Sequence, residues 1–217
     1  MVRLGHVYFI YNPYKMLTFI HVNKCGGKSI DAALVKLLGR KAYREIHGLV
    51  GTPVTEKTQG KLVLFVRDPI DRAISSYHYY RMRKRRYGED LNEIIDTMRN
   101  NRGFAKKELS KNTHLDYSLS KYISPSVMEK LELFFVGTTE NIKDDYLKLL
   151  DKLEMPREPL GHLNMTIRFG KELTEDNLNF LKELYKDDYA CLEILRDRGF
   201  LTKEYIEGIE NKTKYIY

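Results

Sequence analysis

Short apolar runs along the chain have the length and composition of buried strands. They cover residues 7–11, 17–22, 62–66 and 133–136, and a weaker candidate covers residues 42–46. Apolar runs of this length that lack a polar alternation are typical of strands buried on both faces. The pattern therefore predicts a sheet that is covered on both sides.

Between these runs, apolar residues recur at the spacing of one helix face. Residues 29–38 follow this pattern, and Gly39 comes next as a stop signal. Asp68 and Pro69 supply an N-cap and a first-turn proline for a helix over residues 68–86. Two further helices are predicted over residues 139–153 and 174–198.

Strands that alternate with helices predict an α/β protein with a central parallel β-sheet flanked by helices. No repeat, low-complexity tract or Gly/Ser linker divides the sequence, so we expect a single domain over residues 1–217. Ligands of such open sheets bind at the carboxyl ends of the strands. The turns that follow the strands are therefore where the chemistry is expected.

Composition narrows the class of protein. Of 217 residues, 42% are hydrophobic and 31% are charged, which is a globular composition. The apolar runs are far shorter than the ~20 residues of a membrane-spanning helix, and His6 and Asn12 interrupt the stretch where a signal peptide would be apolar. The only cysteines, Cys25 and Cys191, suggest neither a disulfide framework nor a zinc site. We expect a soluble protein that is cytoplasmic or otherwise intracellular.

The net charge of +7 is concentrated in one stretch. Residues 81–111 contain ten Lys or Arg against five Asp or Glu. Such a cluster favours an anionic partner, which could be a nucleotide, an acidic glycan or a nucleic acid. A solvated helix face is the alternative interpretation of the same residues.

A glycine-containing turn lies between the second predicted strand and the helix that follows it. It reads Asn23-Lys24-Cys25-Gly26-Gly27-Lys28-Ser29. Backbone amides at paired glycines, the positive end of a helix dipole, and lysine and hydroxyl donors together favour phosphate binding. A Walker A loop would need glycine at the position of Val22, so the spacing argues against a nucleoside triphosphatase. An ordinary strand-to-helix turn is the other interpretation.

A second candidate anion site follows the strand over residues 62–66. This strand ends in Arg67, and Ser75 falls in the second turn of the helix that begins after it. A guanidinium group is a permanently charged fork that suits a phosphate, and a serine hydroxyl can donate to the same anion. Anion sites at two neighbouring strand ends predict a ligand with two separate phosphates.

With both segments in this order, the chain resembles the sulfotransferases that use 3′-phosphoadenosine 5′-phosphosulfate (PAPS). The resemblance is greatest to the carbohydrate branch that includes the heparan sulfate 2-O and 6-O enzymes. The glycine turn is similar to that family's 5′-phosphosulfate loop, Pro-Lys-Thr-Gly-Gly-Thr-Ser, with Asn23, Cys25 and Lys28 as the departures. Residues 67–77 are similar to its 3′-phosphate motif, Arg-Asp-Pro-x-x-Arg-x-x-Ser-x-Tyr. The resemblance spans roughly residues 17–195 and implies a P-loop-like fold.

The resemblance implies PAPS as the sulfuryl donor, adenosine 3′,5′-bisphosphate (PAP) as the product, and chemistry that requires no metal. Lys24 would contact the bridging oxygen and stabilise the departing phosphate. Arg67 and Ser75 would bind the 3′-phosphate, and Arg168 would cover the nucleotide. The 5′ end would be held by Lys24, Cys25, Gly26, Gly27, Lys28 and Ser29.

The resemblance also implies His47 as the base, because the carbohydrate branch has its catalytic histidine in a similar His-Gly setting. Glu45, two residues earlier on the same strand face, is the reserve candidate, and we expect His21 to be structural. A helix N-terminus lowers a thiol pKa, which makes Cys25 a candidate for oxidation, although a space-filling role is favoured. The expected substrate-binding positions are Asn112, His114 and Tyr117.

The leading hypothesis is sulfuryl transfer to a carbohydrate hydroxyl, with a nucleotide cosubstrate, a glycan acceptor, and no stable nucleic-acid or membrane partner. A small alcohol, a lipid or a tyrosine side chain is an alternative acceptor. A non-catalytic module that binds nucleic acid through residues 81–111 would instead bind with a steep salt dependence. A nucleotide kinase with a degraded P-loop would prefer ATP and need magnesium.

Overall fold

The computed structural model describes residues 16–47, 54–84, 90–101, 115, 118–161 and 170–217. These residues include the four strands of one sheet: β1 (Leu17–His21), β2 (Tyr43–His47), β3 (Lys61–Val66) and β4 (Leu133–Thr138). The strands are parallel throughout and lie in the order β2-β1-β3-β4. The parallel sheet is thus confirmed, and the strand expected at residues 7–11 lies outside the described residues.

Helices cover the sheet and extend beyond it. They are α1 (Gly27–Leu38), α2 (Pro69–Lys84), α3 (Leu91–Asn100), α4 (Leu119–Tyr122), α5 (Pro125–Lys130), α6 (Ile142–Lys152), α7 (Glu175–Leu184), α8 (Lys186–Asp197) and α9 (Lys203–Glu210). The helices predicted over residues 29–38, 68–86 and 139–153 are confirmed as α1, α2 and α6. Among the described residues, no helix is both long and apolar enough to cross a membrane.

Both faces of the sheet are buried, as the continuous apolar runs predict. On one face, Ile20 and Leu64 pack in a cluster with Leu192 of α8. On the other face, Phe19 belongs to a cluster that includes Leu34 of α1. Burying one such side chain stabilises the fold by roughly 1.5–3 kcal/mol. The packing on both faces therefore holds the strands in place, together with the turns that follow their carboxyl ends.

The single helix expected over residues 174–198 is wrong, because the chain breaks at Tyr185 into α7 and α8. Thr174 caps α7 as expected, since its hydroxyl accepts a hydrogen bond from the Asn177 amide. Tyr185 leaves helical geometry at φ −103° and ψ 18°, and its hydroxyl donates to the Leu115 carbonyl at 2.9 Å. The two halves pack in different clusters, α7 with α2 and α3, and α8 with the sheet. A single straight helix could not pack in both clusters.

Residues near the carboxyl end of the chain hold the start of α2. The Tyr215 hydroxyl donates to Asp68 Oδ2 at 2.8 Å, and the Lys212 ammonium lies 2.5 Å from Asp71 Oδ2. Asp68 itself accepts hydrogen bonds from the Ile70 and Asp71 amides, so the expected N-cap is confirmed. Because Arg67 directly precedes Asp68, these contacts also restrict the position of Arg67.

Replacing Tyr215 with Phe tests this anchoring. The change removes one hydrogen bond to a buried carboxylate, and we expect a loss of about 2 kcal/mol in the free energy of unfolding, measured by urea denaturation. Tyr189→Phe is the matched control, because the Tyr189 hydroxyl is buried without a hydrogen-bond partner among the described residues. That control should leave stability unchanged or raise it. Equal losses in the two variants would contradict the anchoring role of Tyr215.

Candidate functional site

The glycine turn joins β1 to α1 with two residues in the left-handed region of backbone conformation. Gly26 has φ 74°, which glycine adopts without steric cost. Lys24 has φ 67°, and among the described residues only Glu154 shares a positive φ without being glycine. A non-glycine residue held there costs of order 1–3 kcal/mol, and such strain tends to occur at functional sites. The turn thus holds Lys24 in a conformation that its sequence does not favour by itself.

Glycine is favoured at both positions of the turn, at Gly27 by the His21 ring that occupies the space of a side chain and at Gly26 by the left-handed backbone. A Cβ atom on Gly26 would lie 2.1 Å from Ile142 Cδ1, and one on Gly27 would lie 1.9 Å from His21 Cδ2. The N-cap position has no side-chain hydrogen bond, because Gly26 occupies it. The Ser29 amide already donates to the Gly26 carbonyl at 3.0 Å. The amides that a helix start offers to an external anion are therefore, in α1, those of the residues before Ser29.

The two predicted anion sites are in direct contact. An Arg67 guanidinium nitrogen, Nη1, donates to the Lys24 carbonyl at 3.2 Å. Burial, followed by the positive charges of Arg67 and Lys28, lowers the pKa of Lys24 to about 8. A bound anion would relieve the repulsion between these cations.

Tyr79 of α2 covers the cationic side of the turn. The Lys24 ammonium lies 4.2 Å from the centre of the Tyr79 ring, and the Lys28 ammonium lies 5.7 Å from it. A cation over an aromatic face is stabilised by the ring quadrupole. Tyr79 therefore restricts the directions in which the two lysine side chains can point.

Two further residues of the second motif, Arg72 and Ser75, are buried in α2. Ser75 is largely buried in the second turn of α2. Arg72 is 1% exposed, and its Nη2 atom donates to the Leu115 carbonyl at 3.3 Å. Its guanidinium also lies 5.1 Å from the centre of the Tyr185 ring. Arg72 therefore holds α2 against its neighbours, whereas Arg67 reaches the glycine turn.

Three titratable side chains meet at the ends of β1 and β2. The strands pair in parallel with Phe19 opposite Glu45 and His21 opposite His47, so Glu45, His21 and His47 share one face. Glu45 Oε1 is hydrogen-bonded to His21 Nδ1, and the His21 and His47 rings meet edge to face with centres 4.7 Å apart. Burial, followed by the nearby His21, lowers the pKa of His47.

The contact between His21 and Glu45 is absent from the sequence prediction, which gave Glu45 only as a reserve base. His21 is the last residue of β1, and Glu45 lies two residues before the end of β2, diagonally across from His21 on the same face. The missing information was the register, because a shift by one residue would have moved Glu45 to the opposite face.

Cys25 is 2% exposed, and burial raises the pKa of its thiol to about 12. The lowered pKa expected at a helix N-terminus is therefore wrong, since the loss of hydration outweighs the helix dipole and the nearby arginines. The thiol donates weakly to the Asn23 carbonyl at 3.7 Å, and Cys25 packs in the core cluster beneath the sheet. The space-filling role is the one that the structure supports.

Four predicted site residues lie outside the described residues and stay predictions: Arg168, Asn112, His114 and Tyr117. The same holds for much of the basic stretch over residues 81–111. Within the described ranges, no group of three or more His, Cys, Asp or Glu side chains is arranged to hold a metal ion.

Known proteins resemble this chain at the level of family and fold. A family model described as "Sulfotransferase family" matches residues 7–193. No curated protein matches the chain significantly. A crystal structure of a sulfotransferase from Alicyclobacillus acidocaldarius is similar with a TM-score of 0.54 and 15% sequence identity, over 83% of this chain and 95% of that one. At this identity, the structural likeness concerns the fold.

The burial of both cysteines predicts slow thiol chemistry. Cys25 and Cys191 are buried, and burial raises the pKa of each to about 12. We therefore expect the native protein to react with Ellman's reagent only as fast as it unfolds, and both thiols to react at once in denaturant. Rapid labelling of native Cys25, read by mass spectrometry, would contradict the buried position of the thiol.

Proposed function

The chain belongs to the sulfotransferase family, and we propose that it transfers the sulfuryl group of PAPS to a hydroxyl group of a carbohydrate, releasing PAP. The observation that supports this proposal best is the hydrogen bond from Arg67 to the Lys24 carbonyl. It brings two cationic strand ends together, and PAPS carries two separate phosphates. A ligand with a single phosphate would need only one of these ends.

The residues at the glycine turn fit the phosphosulfate end of PAPS. The start of α1 has no side-chain cap, and glycine at positions 26 and 27 leaves the backbone of the turn uncovered by side chains of its own. Lys24, Lys28 and Arg67 surround this point with positive charge. When bound, PAPS would supply an activated sulfuryl group, and the protein would supply alignment and charge.

Lys24 is the proposed electrostatic catalyst. Sulfuryl transfer places negative charge on the oxygen that departs with the 5′-phosphate, and a positioned ammonium stabilises that charge. The left-handed backbone at Lys24 and its carbonyl contact with Arg67 hold the residue in place. Lys24 must be protonated for this role.

His47 is the proposed base. Its lowered pKa keeps the imidazole neutral near pH 7, and a neutral imidazole can accept the proton of an acceptor hydroxyl. His47 is the last residue of β2, next to β1, so it lies at the same sheet edge as the glycine turn. Glu45 on the same face already bonds to His21, which favours His47 over Glu45.

The carbohydrate acceptor is the finer part of the proposal. It is supported by the resemblance of residues 23–29 and 67–77 to the carbohydrate branch and by the excess of basic residues over 81–111. An acidic glycan would be attracted to such a surface. A screen of acceptors with labelled PAPS tests this part separately from the nucleotide site.

Binding of PAP against ADP tests the nucleotide site. By calorimetry in the presence of a chelator, we expect the wild-type protein to prefer PAP, because only PAP has a 3′-phosphate. Arg67→Ala should weaken PAP binding by roughly 10- to 100-fold and change ADP binding less, since a charged hydrogen bond to phosphate is worth about 1.5–3 kcal/mol.

The matched control for this experiment is Arg44→Ala, because Arg44 is an exposed arginine on neighbouring β2. It removes the same charge away from the proposed site and should leave PAP binding within twofold. Equal binding of PAP and ADP to the wild-type protein would overturn the proposed 3′-phosphate site. Strong binding of nucleic acid with a steep salt dependence would then favour the non-catalytic module.

The lowered pKa of Lys24 predicts a pH dependence of PAP binding. Lys24 is charged below about pH 8 and becomes neutral above it, and a bound anion raises this pKa. The affinity for PAP should therefore fall by up to tenfold per pH unit above about pH 8. In Lys24→Arg the fall should disappear, because arginine stays charged throughout. A wild-type affinity that is constant to about pH 9.5 would contradict the role of Lys24.

A further inference from the structure

We propose that His21 is a positioning residue, fixed by Glu45, that orients the His47 ring against the glycine turn. The inference rests on the proposed function, because it takes His47 as the base. It assigns His21 to the site and gives Glu45 a role other than accepting the substrate proton.

The His21 ring is held on four sides. Glu45 Oε1 is bonded to its Nδ1 atom, and the Phe19 ring is stacked on it with centres 5.6 Å apart and planes inclined by 24°. A Cβ atom on Gly27 would lie 2.0 Å from His21 Nε2, so the ring packs directly on the backbone at the start of α1. The fourth neighbour is the edge of the His47 ring. A ring with these contacts has little freedom to rotate.

The bond to Glu45 also determines which nitrogen of the His21 ring carries a proton. A carboxylate can only accept a hydrogen bond, so Nδ1 of His21 must carry a proton. The other nitrogen, Nε2, then lies against Gly27. Partners of this kind fix the tautomer and orientation of a histidine, and their loss usually reduces activity without removing the reacting group.

His47 depends on this arrangement because few other contacts restrain its ring among the described residues. It is half-buried at the end of β2, and the charged or titratable groups that act on it are His21 of β1, Glu45 of β2 and Lys28 of α1. Of these, only His21 makes a ring contact with His47 among the described residues. A change in the His21 ring would therefore be transmitted to His47, and a misplacement of about 1 Å can cost 100-fold in rate.

The test compares Glu45→Gln with Glu45→Ala. Glutamine keeps an oxygen that accepts the bond from His21 Nδ1, and alanine does not. If Glu45 positions His21, Glu45→Ala should lower kcat for the hydrolysis of PAPS to PAP and sulfate, with water as the sulfuryl acceptor, by roughly 10- to 100-fold with an unchanged KM for PAPS. Glu45→Gln should restore most of the rate. If Glu45 is itself the base, both variants should be equally inactive, which would overturn the inference.

A double-mutant cycle provides the second kinetic arm. His21→Phe keeps the ring on Gly27 but cannot bond to Glu45. In the His21→Phe protein, Glu45→Ala should cause little further loss, because the two residues act as one unit. Independent losses that multiply would contradict the inference. Arg44→Ala, on the opposite face of β2, is the control and should leave kcat unchanged.

Nuclear magnetic resonance gives a readout that does not depend on turnover. In protein with 15N-labelled histidine, the Nδ1 proton of His21 should be visible and protected from exchange, present in Glu45→Gln and lost in Glu45→Ala. Its absence from the wild-type protein would overturn the inference. Calorimetry with PAP separates this inference from the proposed nucleotide site. If the wild-type protein bound PAP no more tightly than ADP, the nucleotide site would be refuted, but the arrangement of Glu45, His21 and His47 would not.

Discussion

The position of β1 between β2 and β3 is the constraint on which the site depends. Because all three strands are parallel, their carboxyl ends meet at one edge of the sheet. One neighbour brings His47 to the glycine turn and the other brings Arg67. The apolar packing on both sheet faces fixes this register, since slipping one strand by a residue would move each of its side chains to the opposite face and into the wrong apolar cluster.

Within that frame, charge and strain are concentrated at one turn. Lys24 has a left-handed backbone, a partly buried ammonium and two cationic neighbours. Each of these features opposes folding in the absence of an anion. The buried apolar clusters on both faces of the sheet provide the stability that offsets them. Preorganised charge of this kind can stabilise a leaving group without rearrangement during the reaction.

The sequence was informative wherever local rules decide structure. Strand-length apolar runs, the Asp68 cap and the paired glycines predicted the sheet, α2 and the turn between β1 and α1. The predictions from sequence were wrong or incomplete where contacts between distant residues decide the local structure. The periodic pattern over residues 174–198 is continuous, and only packing against two different clusters shows why Tyr185 breaks it. Burial, and not the helix N-terminus, decides the direction of the Cys25 pKa shift. The bond between Glu45 and His21 depends on the register of β1 against β2, which neither segment specifies by itself.

The bond between Tyr215 and Asp68 joins residues that are 147 positions apart in the chain. Contacts between such distant residues form late, because the entropy of closing a long loop must be overcome before they contribute. Arg67 follows β3 and precedes the helix that this bond secures. A partly folded chain that already contains the parallel sheet would therefore still lack a settled Arg67, and any ligand affinity that depends on Arg67 would report completion of the whole fold.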